Sequence, residues 1–297
     1  MAPTTRRKWR IPQVMAVPAN WQGSPEHFYH FHLGYFMPLV LWQHRKRISD
    51  FSVRDCGPMN SWFDLLAPGT QITIIPPGVM LERYLSHRQE RVVFHSWDDP
   101  TRFHRSSLSR YRSIILNRTP VTQQTETSRP VITVLDRRSP SSFYSSDRTE
   151  TSGGGSEWRS IPNISSIAEA LSALGSVDLV DTATLTPTEQ VALVARTDLL
   201  VAQHGAGLSN MVWMGRGGSV IEILPPRPDT IDAIFRNLAA ARDLGYRAVA
   251  QEDEHASVDT QPILQAAQDL LDSPTAHVPT PTGSWPMRMV RQLPRRL

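Results

Sequence analysis

The sequence holds a single cysteine, Cys56, in 297 residues. One thiol excludes an internal disulfide and any multi-cysteine zinc or iron–sulfur site, and it fits a reducing, cytoplasmic setting. Long apolar runs are missing as well. The longest, Tyr35 to Trp42, has eight residues and contains Pro38, against the roughly 20 needed to cross a bilayer. The basic start runs into Ile11-Pro12-Gln13 instead of an apolar segment, so no secretory signal is visible. Neither H-E-x-x-H nor D-x-D occurs, and no metal site or cofactor is expected. Lysine is scarce, two against 29 arginines; this hints at a GC-rich coding sequence and a bacterial source.

What is present is enough for folded cores: 40% hydrophobic and 20% charged residues exclude wholesale disorder. The length suggests two domains. The net charge is +3 and the isoelectric point about 9.3, which alone would suggest nucleic acid. The placement of the charge argues otherwise. Arg6, Arg7, Lys8 and Arg10 open the chain and Arg288, Arg291, Arg295 and Arg296 close it; setting these eight aside leaves 23 basic against 28 acidic residues. The body is acidic and the basicity lies in two tails, so no nucleic-acid partner is expected.

Along the chain, proline breaks mark residues 1–25 as an arm. Residues 26–47 are dense in aromatics and histidines and read as a buried helix pair or a helix kinked at Pro38. Gln71–Ile75 and Arg91–Phe94 read as strands, with Arg112–Leu116 as a further one. Residues 117–130 are polar, without periodicity, and suit a linker. Beyond them β and α alternate. Val131–Leu135 is a β-branched strand, residues 139–157 a Ser/Gly-rich mobile loop, and Ile164–Leu174 a helix. Val177–Val180 is a strand, and Thr186-Pro187-Thr188-Glu189 is a capping box opening a helix. Leu199–Ala202 and Ser219–Leu224 are strands flanking a short helix at Leu208–Met214, and residues 229–244 and 260–272 read as helices. Such alternation predicts an α/β fold with a parallel sheet.

The stretch from Asp198 to Pro226 is the most informative. A strand enters His204-Gly205-Ala206-Gly207, a helix starts, and the next strand carries Glu222. Gly205 and Gly207 let backbone approach a ligand, and the first amides of the helix suit a phosphate. A carboxylate near the end of the next strand can accept two hydrogen bonds from a ribose diol. Two rival motifs fail: Asn210 stands where a dinucleotide fingerprint needs its third glycine, and the chain has no G-x-S-x-G nucleophile elbow to accompany an esterase-type H-G-A-G.

Gln203-His204-Gly205-Ala206-Gly207-Leu208-Ser209-Asn210 followed by Gly217-Gly218-Ser219-Val220-Ile221-Glu222 resembles the signature of the glycosyltransferase 61 family. Residues 132–138, the Arg159-x-Ile161-x-Asn163 segment, Thr186 onward, and His27-Phe28-Tyr29-His30-Phe31 extend the resemblance over about residues 27–265. It implies a GT-B-like α/β architecture, two Rossmann-like domains facing a central cleft. The division expected is an arm at 1–25, an acceptor-side domain at 26–120, a nucleotide-sugar domain at 121–275 and a basic tail at 276–297. It also implies an inverting, metal-independent transfer from a nucleotide-sugar donor, a UDP-sugar, to an unidentified carbohydrate, peptide or small-molecule acceptor. Arg137 and Arg159, with Asn163 in the same segment, would serve the pyrophosphate. His204, Gly205, Ala206, Gly207, Leu208 and Ser209 would form the phosphate-side turn, and Glu222 would hold the ribose. A homodimer is compatible with this reading, and no integral membrane segment is expected.

One position departs from the family pattern. The acid expected four residues beyond the histidine falls on Gly34, which has no acid–base chemistry. His32 or His30 could supply the base, since imidazole titrates near neutral pH. Asp98 or Asp99 could reach the cleft from another loop. Two alternatives remain: transfer to an already nucleophilic acceptor, or a non-catalytic sugar-nucleotide-binding or partner module.

Overall fold

A computed structural model describes residues 14–18, 24–76, 90–94, 103–120, 129–147, 149, 154–226, 229–273 and 290–292. The chain is α/β, and its described residues form two five-stranded sheets with mainly parallel strands, as in Rossmann-like folds. The first contains β1 (Val14–Pro18), β2 (Asp50–Arg54), β3 (Gln71–Ile75), β4 (Glu90–Phe94) and β10 (Val290–Gln292) in the order β10-β4-β1-β2-β3. Only β10 runs antiparallel, against β4. The second contains β5 (Val131–Leu135), β6 (Ser176–Val180), β7 (Leu199–Gln203), β8 (Ser219–Leu224) and β9 (Gly245–Ala250) in the order β6-β5-β7-β8-β9, all parallel.

Three elements differ from expectation. Val14–Pro18 falls in the stretch read as an arm, yet it is the central strand of the first sheet, paired with β2 and β4. Five residues flanked by prolines carry too little local signal; neighbours distant in sequence complete the strand. Val290–Gln292 likewise joins that sheet from within the basic tail. Arg112–Leu116 is not a strand but the end of the helix Arg105–Leu116. Its buried residues, Leu108, Tyr111, Ile114 and Ile115, follow helical spacing, and the last turn alone looks like an apolar run.

The aromatic segment is one helical run: α1 (Phe28–Phe31), a π turn at His32–Phe36, and α2 (Met37–Lys46). Pro38 has no N–H to give to the carbonyl four residues back, and the turn ahead of it widens to π geometry. The remaining α-helices of eight residues or more are α3 (Arg105–Leu116), α4 (Ile164–Leu171), α5 (Pro187–Ala195), α6 (Asp229–Ala241) and α7 (Thr260–Asp272), among the described residues. At α5 the capping box forms as expected: Thr186 Oγ1 accepts from the Glu189 amide and the Glu189 carboxylate accepts from the Thr186 amide. The Thr186 amide, and then the Thr186 hydroxyl donating to the same carboxylate, hold the Glu189 carboxyl below its ordinary pKa.

Residues of β5, β7 and β8 alternate between two cores, as strands covered on both faces must. Ile132, Val134, Leu199, Val201, Ile221 and Ile223 pack with α4 and α7. Leu135, Leu200, Ala202 and Val220 belong instead to a cluster continuous with Phe31, Phe36, Trp62, Tyr111 and Trp213. That second face is therefore covered partly by the aromatic helix, and the two halves of the chain share one buried core.

Candidate functional site

The second sheet sets the location. Its order, counted by sequence within the sheet, is 2-1-3-4-5. Connections leave β5 and β7 toward opposite sides, which opens a crevice at their carboxyl ends, where ligands of open α/β sheets bind. A cavity of about 190 Å³ lies there. Leu135, Asp136 and Arg137 border it from β5, and Ala202, Gln203, Ala206 and Gly207 from β7 and the turn after it. Thr182, Gln190 and Gly155 also line it, as do Phe28, Met59 and Trp62 of the first half.

The glycine turn is shaped by what it touches. A Cβ on Gly205 would stand 2.7 Å from Nη2 of Arg137, and one on Gly207 3.2 Å from Leu135. Gly205 therefore gives the Arg137 guanidinium its seat beside the cavity. The 3-10 helix Ala206–Trp213 begins at this point, and its first residues, Ala206 and Gly207, line the same cavity as the arginine. Asp136 also lines the cavity, and its carboxylate is 2.6 Å from Nε of the exposed Arg138.

Behind the turn lies a buried polar chain. His204 Nδ1 sits 2.5 Å from Oε1 of Glu222, and the Tyr246 hydroxyl donates to Oε2 at 2.5 Å. Glu222 is 0% exposed, with both oxygens engaged by protein groups. Arg159 is buried and donates Nη1 to the His204 carbonyl at 2.8 Å. Asn163 pairs at both ends with Val258, giving Nδ2 to its carbonyl and accepting its amide. Arg159, Asn163, His204 and Glu222 thus buttress the turn from behind, while Arg137, Ala206 and Gly207 border the cavity and Gly205 abuts Arg137. Leu208 is in the core, and Ser209 turns toward His32.

His32 is 0% exposed. Its ring stacks on Phe28 at 5.0 Å and lies within 5.1–5.7 Å of Trp213, Trp62 and Tyr111. Ser209 spends its proton on the Ala206 carbonyl at 2.7 Å, so His32 Nδ1 donates to Ser209 Oγ at 3.2 Å. The tautomer follows: Nε2 is a bare lone pair, buried, with no partner. Burial pushes the imidazole down to about 3. Phe28 and Trp62, which line the cavity, also pack on His32, and neither His32 nor His30 lines it. His30 is half-buried against Tyr29, and burial, then His27, lowers its pKa. Asp98 and Asp99 lie outside the described residues.

The Ser/Gly-rich loop is tied down where it is described. The Tyr144 hydroxyl donates to the Glu26 carbonyl at 2.5 Å, and Thr149 Oγ1 to Glu26 Oε2 at 2.7 Å. The His27 ring lies 5.5 Å from Tyr144 and 5.4 Å from Trp158. Asp136 and Gln203 are among the cavity residues that the sequence does not mark; Asp136 directly precedes Arg137 and Gln203 directly precedes His204, so adjacency at a strand end is the signal that would find them. Gln203 gives Nε2 to Gln251 Oε1 at 2.6 Å, while its buried Oε1 has no partner.

Among the described residues no helix is long and apolar enough to cross a membrane. A search of curated proteins finds no match. The family model described as Glycosyltransferase 61 matches residues 28–221, a span that runs from the aromatic helix through Arg137 and the glycine turn into β8. A crevice at the switch point with an arginine seated on a glycine turn sits within that span, and the chain belongs to the glycosyltransferase 61 family.

Proposed function

We propose that the protein is an inverting glycosyltransferase that takes a sugar from a nucleotide donor, a UDP-sugar, and passes it to a hydroxyl or other nucleophilic acceptor across a GT-B-type cleft. The observation that carries this is the cavity at the β5–β7 switch point, lined by Arg137 and the glycine turn together with Phe28, Met59 and Trp62. Its volume, about 190 Å³, is below the ~300–1,000 Å³ usual for whole-ligand pockets. It suits a diphosphate, with sugar and nucleoside extending beyond it.

In the reaction the acceptor oxygen attacks the anomeric carbon as the bond to the phosphate oxygen breaks, and a base takes the acceptor proton. Arg137 and the amides of Ala206 and Gly207 offset the charge growing on the departing diphosphate. No divalent metal is required for that task when a guanidinium and helix-start amides supply it. Asp136 is the carboxylate bordering the cavity, and we assign it the role of base. His32, sealed behind Phe28 and Trp62, orders Ser209 and the start of the glycine-turn helix. Glu222 holds the His204 ring at Nδ1 and, with Tyr246, supports the glycine turn from behind.

Calorimetric binding of UDP and release of UDP from a panel of UDP-sugars test the reading. Arg137→Ala should weaken UDP by ~10- to 150-fold, the worth of a charge-assisted phosphate contact. Asp136→Asn should lower kcat ~100-fold or more with donor affinity retained. UDP that does not bind, or an Asp136→Asn enzyme as fast as wild type, would refute the corresponding part. A second reading, a binding module without turnover, rests on Gly34 in the family's acid position and on the sealing of His32. UDP-sugar binding with neither hydrolysis nor transfer would establish it.

A further inference from the structure

The crevice lies at the carboxyl ends of β5 and β7; a second concentration of positive charge lies at the opposite edge of the same sheet. The 3-10 helix that starts in the crevice ends at Trp213, and the Gly215–Gly218 turn then leads into β8. The end of α6 leads in the same way through Arg242 and Asp243 into β9. Arg112 of α3 donates Nε to the Trp213 carbonyl at 3.0 Å, and Arg242 donates Nη2 to the next carbonyl, Met214, at 3.1 Å. Two guanidinium groups from opposite halves of the chain therefore converge on consecutive carbonyls. Arg105 of α3 pairs with Asp243, and Arg216 stands exposed on the glycine turn.

Of the four arginines, Arg105 is the one paired with Asp243, the carboxylate next in sequence to Arg242. Arg242 is 6% exposed, and its Nε has no hydrogen-bond partner. A buried guanidinium N–H without an acceptor is costly and marks a place where an acceptor belongs. Burial and the neighbouring Arg112, Arg216 and Arg105 push Arg242 down to about 10, with Asp243 alone acting in the other direction. The turn has room: a Cβ on Gly215 or Gly217 would meet nothing within 4 Å. Capping two carbonyls explains Arg112 and, with Ser109, part of Arg242, and Asp243 answers Arg105; Arg216 and the Arg242 Nε are left unexplained.

We propose that Arg105, Arg112, Arg216 and Arg242 form a binding site for an oxyanion of the phosphate-ester or diphosphate class, separate from the donor crevice. Planar guanidinium forks suit such oxygens, and a dianion would offset the uncompensated charge of the cluster. Because two of the arginines come from α3 and two from the second half, the ligand would also tie the halves together.

The test uses the full chain and inorganic pyrophosphate, read by calorimetry and by thermal unfolding. Arg137→Ala disables the crevice, and in that background pyrophosphate should still bind and raise Tm. Adding Arg105→Ala and Arg216→Ala, both at exposed positions, should weaken that binding about tenfold or more. Loss of all pyrophosphate binding in Arg137→Ala alone, or an unchanged Kd after the two further substitutions, would overturn the proposal. Co-sedimentation with phosphatidylcholine vesicles containing phosphatidic acid separates the sources. Vesicle binding lost with Arg105→Ala and Arg216→Ala identifies a lipid phosphate, and pyrophosphate binding without vesicle binding identifies a soluble ester.

Discussion

Replacing His32 with phenylalanine should flatten the acid side of the protein's stability curve. In the folded chain burial holds the His32 imidazole at about 3, whereas in an unfolded chain it titrates at about 6.5. Below pH 6.5 the unfolded state therefore binds a proton that the folded state refuses, and stability falls as pH falls. The slope contributed by one such group is about 1.4 kcal/mol per pH unit, so this residue alone costs about 2 kcal/mol between pH 7 and pH 5. The loss continues down to about pH 3, where the folded form also takes the proton. His30 is lowered in the same direction by burial and by His27, so the total slope is not diagnostic; the difference between wild type and His32→Phe is. Phenylalanine fits the stack of Phe28, Trp62, Tyr111 and Trp213 without a polar atom. It forfeits the bond to Ser209 but also removes the unpartnered Nε2, so the change at pH 7 should stay within ~1 kcal/mol. Urea unfolding at pH 7, 6 and 5 measures both quantities. Parallel curves for the two proteins, or a His32 ring titrating near 6.5 by NMR, would refute the sealed, neutral histidine.

Two further substitutions probe the glycine turn. Gly205→Ala places a methyl 2.7 Å from Arg137 Nη2 and must displace the guanidinium, so UDP affinity should fall by ~10-fold or more in calorimetry while the second sheet stays folded by circular dichroism. Tyr246→Phe removes the donor to Glu222 Oε2 and leaves a buried carboxylate oxygen unanswered; unfolding in urea should show a loss of ~1–3 kcal/mol. No loss there would mean that Glu222 is not held as described.

Much of the second half was legible in the chain itself. β5 and β7 are apolar runs buried on both faces, the Thr186–Glu189 box caps α5 as written, and the glycine turn stands at the strand end where it was expected. These features are local: β-branched runs, a cap and residues without a side chain declare themselves within a few positions. The roles of single side chains were not legible. Glu222 looks in sequence like a free acid at a strand end, but packing sets His204 and Tyr246 on its two oxygens. His32 looks like a base, but Trp62, Tyr111 and Trp213, each remote in sequence, join Phe28 in burying it, and that burial sets its pKa. The same holds for β1, five residues that are a strand only because β2 and β4 supply their hydrogen bonds. Sequence alone determined the α/β rhythm and the family. Tertiary structure decided which of the conspicuous residues border the crevice and which lie buried behind it, because burial and hydrogen-bond partnership are set by residues far apart in the chain.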